Sequence, residues 1–169
     1  QVALFPPRLI QAGYREYIRW QNDCLTPRQI ADNIYVESPF AHPSVMLRRA
    51  VFDRVGGYRE GLFPEDYELW LRLHAGGFEM AKLPRVLLAW REWPGRTSRV
   101  DPRCSREAFA ALRARYLAED PRLRQSRGFV IWGAGRKTRR RVRPLFEAGL
   151  RPRAWIDLDP RKLGNRVWD

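Results

Sequence analysis

Lysine is nearly missing from this chain. Lys82, Lys137 and Lys162 are the only lysines among 32 basic residues, so arginine supplies the other 29, and with 19 acids the net charge is +13. A surface this basic can attract nucleic acid, anionic lipid headgroups or phosphorylated small molecules. The arginines are scattered through every segment instead of forming one arm, and no aromatic-interleaved RNA signature is present, which argues against nucleic acid as the partner. Cysteine is almost as scarce: Cys24 and Cys104 stand far apart with no paired spacing, which suggests neither a disulfide framework nor a zinc knuckle and makes reduced thiols in a cytoplasmic setting the expectation. The two histidines, His42 and His74, fall in no His-x-x-x-His or Asp-x-His pattern, so no metal ligand is assigned within the chain. Long apolar runs are also lacking. Nothing approaches the roughly 20 residues needed to cross a bilayer, and no signal-peptide pattern occurs. Membrane contact, if any, is therefore expected to be peripheral and electrostatic, at the inner face.

What is there suffices for a core: 169 residues at 44% apolar content can fill one domain, or one and a piece of another. The stretch Phe63–Leu73 carries the densest signal. Pro64 suits the first turn of a helix, where a missing N–H costs nothing, and Glu65 and Asp66 follow where free amides and the dipole favour negative charge. Leu69, Leu73 and Phe78 give an apolar side, and Gly76-Gly77 stops the helix. An acid pair there reads either as dipole complementation or as a general base presented at a cleft edge.

The rest of the chain reads as short elements. Residues 8–23 show helical spacing with an aromatic-rich side, and Thr26-Pro27 reads as N-cap and first residue of a second helix ending near Asn33. Residues 34–38 look extended, residues 42–48 look like a short strand, and Arg49–Val55 reads as a helix closed by Gly56-Gly57. His42 before a proline is either packed or functional. Residues 79–82 and 85–90 suggest a strand pair. The loop after it offers Arg91, Arg96 and Arg99, suited to bidentate phosphate contacts or to plain solvation. A helix from Ser105 to Glu119 follows, and residues 120–127 form a linker.

A second unit opens at Gly128. Residues 129–132 make a buried-type strand, Gly133-Ala134-Gly135 a tight turn, residues 138–148 a helix, and residues 154–156 a second strand ending in Asp157. This is the opening of a Rossmann-like βαβ unit, in which Gly133 and Gly135 bring backbone amides to phosphate and Asp157 stands where a ribose hydroxyl is bound. Thr138 occupies the third glycine's position, and a purely structural βαβ piece remains the other reading.

Three blocks, Glu37–Arg49, Val55-Gly56-Gly57-Tyr58 and Pro64–Leu73, together resemble the acceptor-side half of family 2 glycosyltransferases, over roughly residues 1–118. The resemblance implies α/β architecture: the C-terminal half of a GT-A fold over residues 1–119, ahead of the βαβ unit at 128–169. It implies an inverting sugar transfer from a nucleotide-diphospho-sugar to a hydroxyl on a glycan, a lipid-linked or a small-molecule acceptor. By the same resemblance Asp66 is the catalytic base and Glu65 orients the acceptor. His42 and Trp70 would meet substrate, Trp70 as sugar platform or as core packing, and Arg91, Arg96 and Arg99 would offset charge on the departing diphosphate.

The departures shape the expectation. The family's Asp-x-Asp motif, which holds Mg or Mn, belongs to an amino-terminal half and is expected to lie outside these 169 residues. Asp157-Leu158-Asp159 matches its letters in the wrong unit. Many relatives carry a histidine where this chain reads Arg91-Glu92-Trp93-Pro94. The chain is thus expected to be a fragment that does not turn over a sugar nucleotide alone, with a metal expected for the full-length enzyme. The competing expectation is a non-catalytic nucleotide-binding or interaction module acting through residues 128–169.

Overall fold

The start of the chain already departs from the sequence pattern: Val2–Phe5 is a strand, β1, too short before Pro6-Pro7 to show any periodicity. It pairs in parallel with β2 (Leu88–Arg91), in the register Val2↔Leu88 to Phe5↔Arg91. Parallel strands need a crossover, and all the intervening helices supply it. The two strands belong to a computed structural model that describes residues 1–165, an α/β chain of two compact units, Gln1–Phe109 and Ala110–Asp169.

In the first unit α1 (Ala12–Asp23) packs along β1. Val2, Ile18 and Ala41 are buried together, with Leu4, Tyr14, Tyr17, Leu88 and Trp90 packed against them. Asn22 on α1 pairs with the outer edge of β1 like a piece of neighbouring strand: Val2 N–H donates to its Oδ1 (3.0 Å) and its Nδ2 donates to the Val2 carbonyl (2.9 Å). That satisfies backbone groups an edge strand would leave open. α2 (Pro27–Asn33) starts as its sequence demands, with Thr26 and Gln29 forming a reciprocal capping box and Pro27 in the first turn.

α3 (Arg49–Val55) closes at Gly56, whose φ of 79° only glycine adopts without strain. α4 (Glu65–Ala75) follows a loop. Every residue from Tyr67 to Leu73 on α4 is buried, so this helix is central, not the amphipathic surface helix its apolar stripe suggests. Its charges are accommodated in pairs. Arg72 makes a bidentate bond to Glu68 (Nε to Oε1 3.1 Å, Nη2 to Oε2 2.8 Å), and its Nη1 and Nη2 also donate to the carbonyls of Val55, Gly56 and Gly57. The guanidinium therefore ties α4 to the C-terminus of α3, where helix carbonyls lack partners.

Several expected strands are absent because tertiary contacts claim their backbone. Residues 34–36 form a turn, held by the Tyr67 hydroxyl donating to the Ile34 carbonyl (2.5 Å). Residues 42–44 form a 3₁₀ turn, with the Ser44 hydroxyl donating to the Ala41 carbonyl (2.7 Å), and residues 45–48 are irregular. Residues 79–82 pair with no strand; Lys82 N–H goes instead to the Leu25 carbonyl (2.8 Å). Only the end of 85–90 is a strand, and its partner is β1. The first helix is shorter than its spacing, since Pro7–Leu9 is a separate 3₁₀ turn.

α5 (Thr97–Val100) and α6 (Arg106–Glu119) lead to the second unit, whose division from the first falls within α6. There α7 (Pro121–Arg124) precedes β3 (Val130–Trp132), α8 (Arg136–Glu147) and β4 (Ala154–Ile156). β3 and β4 are parallel neighbours, Val130↔Ala154 to Trp132↔Ile156, as a βαβ unit requires. Ile131, Ala134 and Leu145 are buried, and Phe146 stacks on Trp155.

One local device recurs through both units. Asp-Pro-Arg occurs at 101–103, 120–122 and 159–161, and each copy starts a helical turn in the same way. The aspartate accepts the arginine's backbone N–H and its guanidinium folds back onto the same carboxylate, as Arg103 Nη2 does at 2.7 Å. Proline sets φ for the first position, and the aspartate caps the turn.

Candidate active site

The N-terminus of α4 gathers the residues the sequence singled out. Asp66 is half-buried there, and its Oδ1 accepts the N–H of Tyr67 (2.7 Å). Burial is the main reason its carboxyl pKa is raised; Glu65 adds to the rise, while the Tyr67 amide and His42 oppose it. Desolvation thus outweighs the like-charge repulsion from Glu65. Glu65 itself faces Arg103, at 3.7 Å, which also holds Asp101. The two adjacent acids thus have different environments: Glu65 a cationic, half-exposed one and Asp66 a drier one.

His42 stands beside Asp66, with its Nε2 2.8 Å from the Tyr58 hydroxyl and its ring 5.2 Å from the Tyr58 ring. Behind it is Trp70, 6.1 Å away edge-on and also against Phe40 at 5.6 Å. Trp70 is 1% exposed, so its ring supports His42 from the core side instead of presenting a face to solvent. Its indole Nε1 is buried with no hydrogen-bond partner among the described residues. Tyr58, whose hydroxyl pKa is raised by burial and then by Asp66 and Glu65, completes the cluster. An open groove of about 850 Å³ runs from His42 and Tyr58 along Pro43, Val45, Leu47 and Phe52, with Arg49 and Asp53 at its side.

The arginine loop is built differently. Glu92, 4% exposed, accepts from Arg96 Nη1 (2.5 Å) and from Arg99 Nε and Nη2 (3.1 and 3.0 Å). Arg96 also donates to the Tyr14 hydroxyl (2.7 Å) and lies over the Trp90 ring at 4.2 Å. One carboxylate against two guanidinium groups leaves a fixed net positive charge at the end of β2, beside exposed Arg91. Nothing in the sequence spacing identified Glu92 as the organiser of that loop, nor Arg72 as the tie beneath Gly56-Gly57. Tyr58 was within reach, being part of a block already singled out.

In the second unit Gly133 has φ 94°, and its amide donates to the Ile156 carbonyl (2.6 Å). Gly135 is the N-cap of α8. Asp157 accepts from Ala134 N–H (2.7 Å), Asp159 N–H (2.9 Å) and Lys162 Nζ (3.0 Å), which lower its pKa to about 2. Its oxygens are thereby engaged in joining the turn to the end of β4. Among the described residues no group of three or more His, Cys, Asp or Glu could hold a metal ion, and no helix is long and apolar enough to cross a membrane.

Comparison with known proteins gives partial matches of one kind. The chain is 39% identical over 56 residues, 33% of its length, to the amylovoran biosynthesis glycosyltransferase AmsE of Erwinia amylovora, covering 21% of that protein. It is 31% identical over 84 residues, half of its length, to an uncharacterized glycosyltransferase of Haemophilus influenzae, covering 31% of it. It is 41% identical over 54 residues, 32% of its length, to the UDP-Gal:alpha-D-GlcNAc-diphosphoundecaprenol beta-1,3-galactosyltransferase of Escherichia coli, covering 20% of it. The chain is therefore similar to glycosyltransferases, and its matches span about a fifth to a third of those relatives. No family model matches it, and no solved structure does.

Proposed function

We propose that residues 1–119 are the acceptor-side part of an inverting family 2 glycosyltransferase of GT-A fold, joined through residues 120–127 to a Rossmann-like unit. The observation that carries this reading is Asp66: a half-buried carboxylate at a helix N-terminus, beside His42 and Tyr58, which line an open groove. The partial matches to three glycosyltransferases support it. The acceptor hydroxyl gives its proton to Asp66 as its oxygen bonds to the anomeric carbon. The bond from that carbon to the nucleotide diphosphate breaks, and the diphosphate leaves with the electron pair. Raised proton affinity makes Asp66 the better base. Glu65 and His42 orient the acceptor, and Trp70 holds His42 in place. Arg91, with the surplus charge of the Arg96–Arg99–Glu92 cluster, faces the developing anion. The described residues offer no cluster that fits the Mg or Mn such enzymes use. A lipid-linked acceptor is favoured by the name of the Escherichia coli relative.

The test is sugar transfer by the native protein carrying Asp66→Asn. The expected result is a fall in kcat of about 10²–10⁴-fold with little change in acceptor KM; unchanged transfer overturns the base assignment. A second reading, a nucleotide-binding module, rests on the parallel β3–α8–β4 unit with its glycine turn at Gly133. It predicts that Gly133→Val and Asp157→Ala abolish nucleotide binding while Asp66→Asn does not.

A further inference from the structure

We propose that the Ala110–Asp169 unit docks on an anionic lipid bilayer through the end of its sheet where β3 runs into α8. The proposal is independent of the glycosyltransferase reading. Each unit holds sixteen basic residues, but thirteen of the 19 acids lie in the first, so the second carries +10 of the +13 net charge. The imbalance comes from missing acids, and α8 concentrates it. Arg136, Lys137, Arg140 and Arg141 stand at i, i+1, i+4 and i+5 and are all exposed, while Leu145 is buried and Phe146 stacks on Trp155. The first turn of α8 holds no acid, and among the described residues no carboxylate pairs with Arg136, Lys137 or Arg141.

At the same end of the sheet, apolar side chains stand in solvent. Trp132 is 70% exposed, Leu158 83% and Leu163 69%. Asp157 draws them together, because its carboxylate binds the amide of Ala134, the amide of Asp159 and Nζ of Lys162. Each of the three lies within two residues of one of those contacts. Cations beside a tryptophan and two leucines match a membrane interface, where guanidinium groups bind lipid phosphate, the indole sits at headgroup level and leucines reach the acyl boundary. A nucleic acid would use the charge but give Leu158 and Leu163 no apolar partner.

The test is co-sedimentation of the whole 169-residue chain with phosphatidylcholine vesicles, with and without about 30% phosphatidylglycerol. Binding is expected only to the anionic vesicles and is expected to fall as salt rises. Arg136→Gln, Lys137→Gln and Arg141→Gln together should lower the partition coefficient roughly a hundredfold, at about fivefold per cation removed. Leu158→Ser with Leu163→Ser should weaken vesicle binding several-fold and leave binding of a single-stranded oligonucleotide unchanged. Circular dichroism of each variant confirms that folding is retained. Equal binding to neutral vesicles, no loss in the charge variant, or oligonucleotide binding as tight as vesicle binding with no effect of the leucine substitutions would each overturn the proposal.

Discussion

Replacing Arg72 by methionine removes the tie between α3 and α4 while keeping most of the side chain's volume. Glu68, 1% exposed, would lose its bidentate partner, with Arg59 at 3.5 Å and half exposed still beside it. The carbonyls of Val55, Gly56 and Gly57 would lose their donors at the same time. Breaking a buried ion pair by deleting one partner costs about 3–5 kcal/mol, and a domain's whole stability is about 5–15 kcal/mol. Arg72→Met should therefore lower the urea midpoint by about a fifth or more, read by tryptophan fluorescence with an unchanged m-value. The double variant Glu68→Leu, Arg72→Met separates the causes. It removes the buried carboxylate but does not restore the lost carbonyl bonds, each worth about 1 kcal/mol net. It should recover about half of the loss. A single variant destabilised by less than about 1 kcal/mol, or a double variant no better than the single, would refute the view that the cost is a buried carboxylate deprived of its bidentate partner.

Two further outcomes follow from titration. Because burial raises the Asp66 pKa in the folded chain, its ionisation opposes folding. Asp66→Asn should accordingly stabilise the protein at neutral pH, with the gain disappearing as pH falls below the ordinary aspartate range, as thermal melts at the two pH values would report. Lys82 runs the other way: burial lowers its pKa to about 8, so the unfolded chain binds more protons between about 8 and the ordinary lysine value, and stability rises with pH across that window. Lys82→Met should be the more stable form at pH 7, by a margin that shrinks towards pH 10; a margin independent of pH would exclude this origin.

The local signals that proved sufficient were those whose chemistry closes within a few residues. The Thr26–Gln29 capping box, the glycine stop at Gly56 and the β3–α8–β4 order are all visible in short windows, and all are present. The elements misread are those whose hydrogen bonds close over long distances. Residues 34–36 turn because Tyr67 takes the Ile34 carbonyl, and β1 exists because β2 arrives 86 positions later. Neither partner can be read from the segment itself. The candidate site was legible in the same uneven way. Asp66, Glu65, His42 and Trp70 do gather, but the burial of Trp70 and the engagement of Arg96 and Arg99 by Glu92 depend on contacts across the unit. The three Asp-Pro-Arg turns show the opposite lesson: a motif short enough to read directly, whose identical folding becomes apparent only when all three copies are compared.

The preference for arginine has a consequence for control. The second unit's basic residues include only two lysines among the described positions, Lys137 and Lys162, and arginine stays protonated at any cellular pH. Acetylation, the usual means of erasing positive charge, would find two amines there, one of them already bonded to Asp157. With few acids to titrate, the unit's charge is close to a constant of the polypeptide. Whatever the unit attracts, release has to come from ionic strength, a competing polyanion or newly added negative charge.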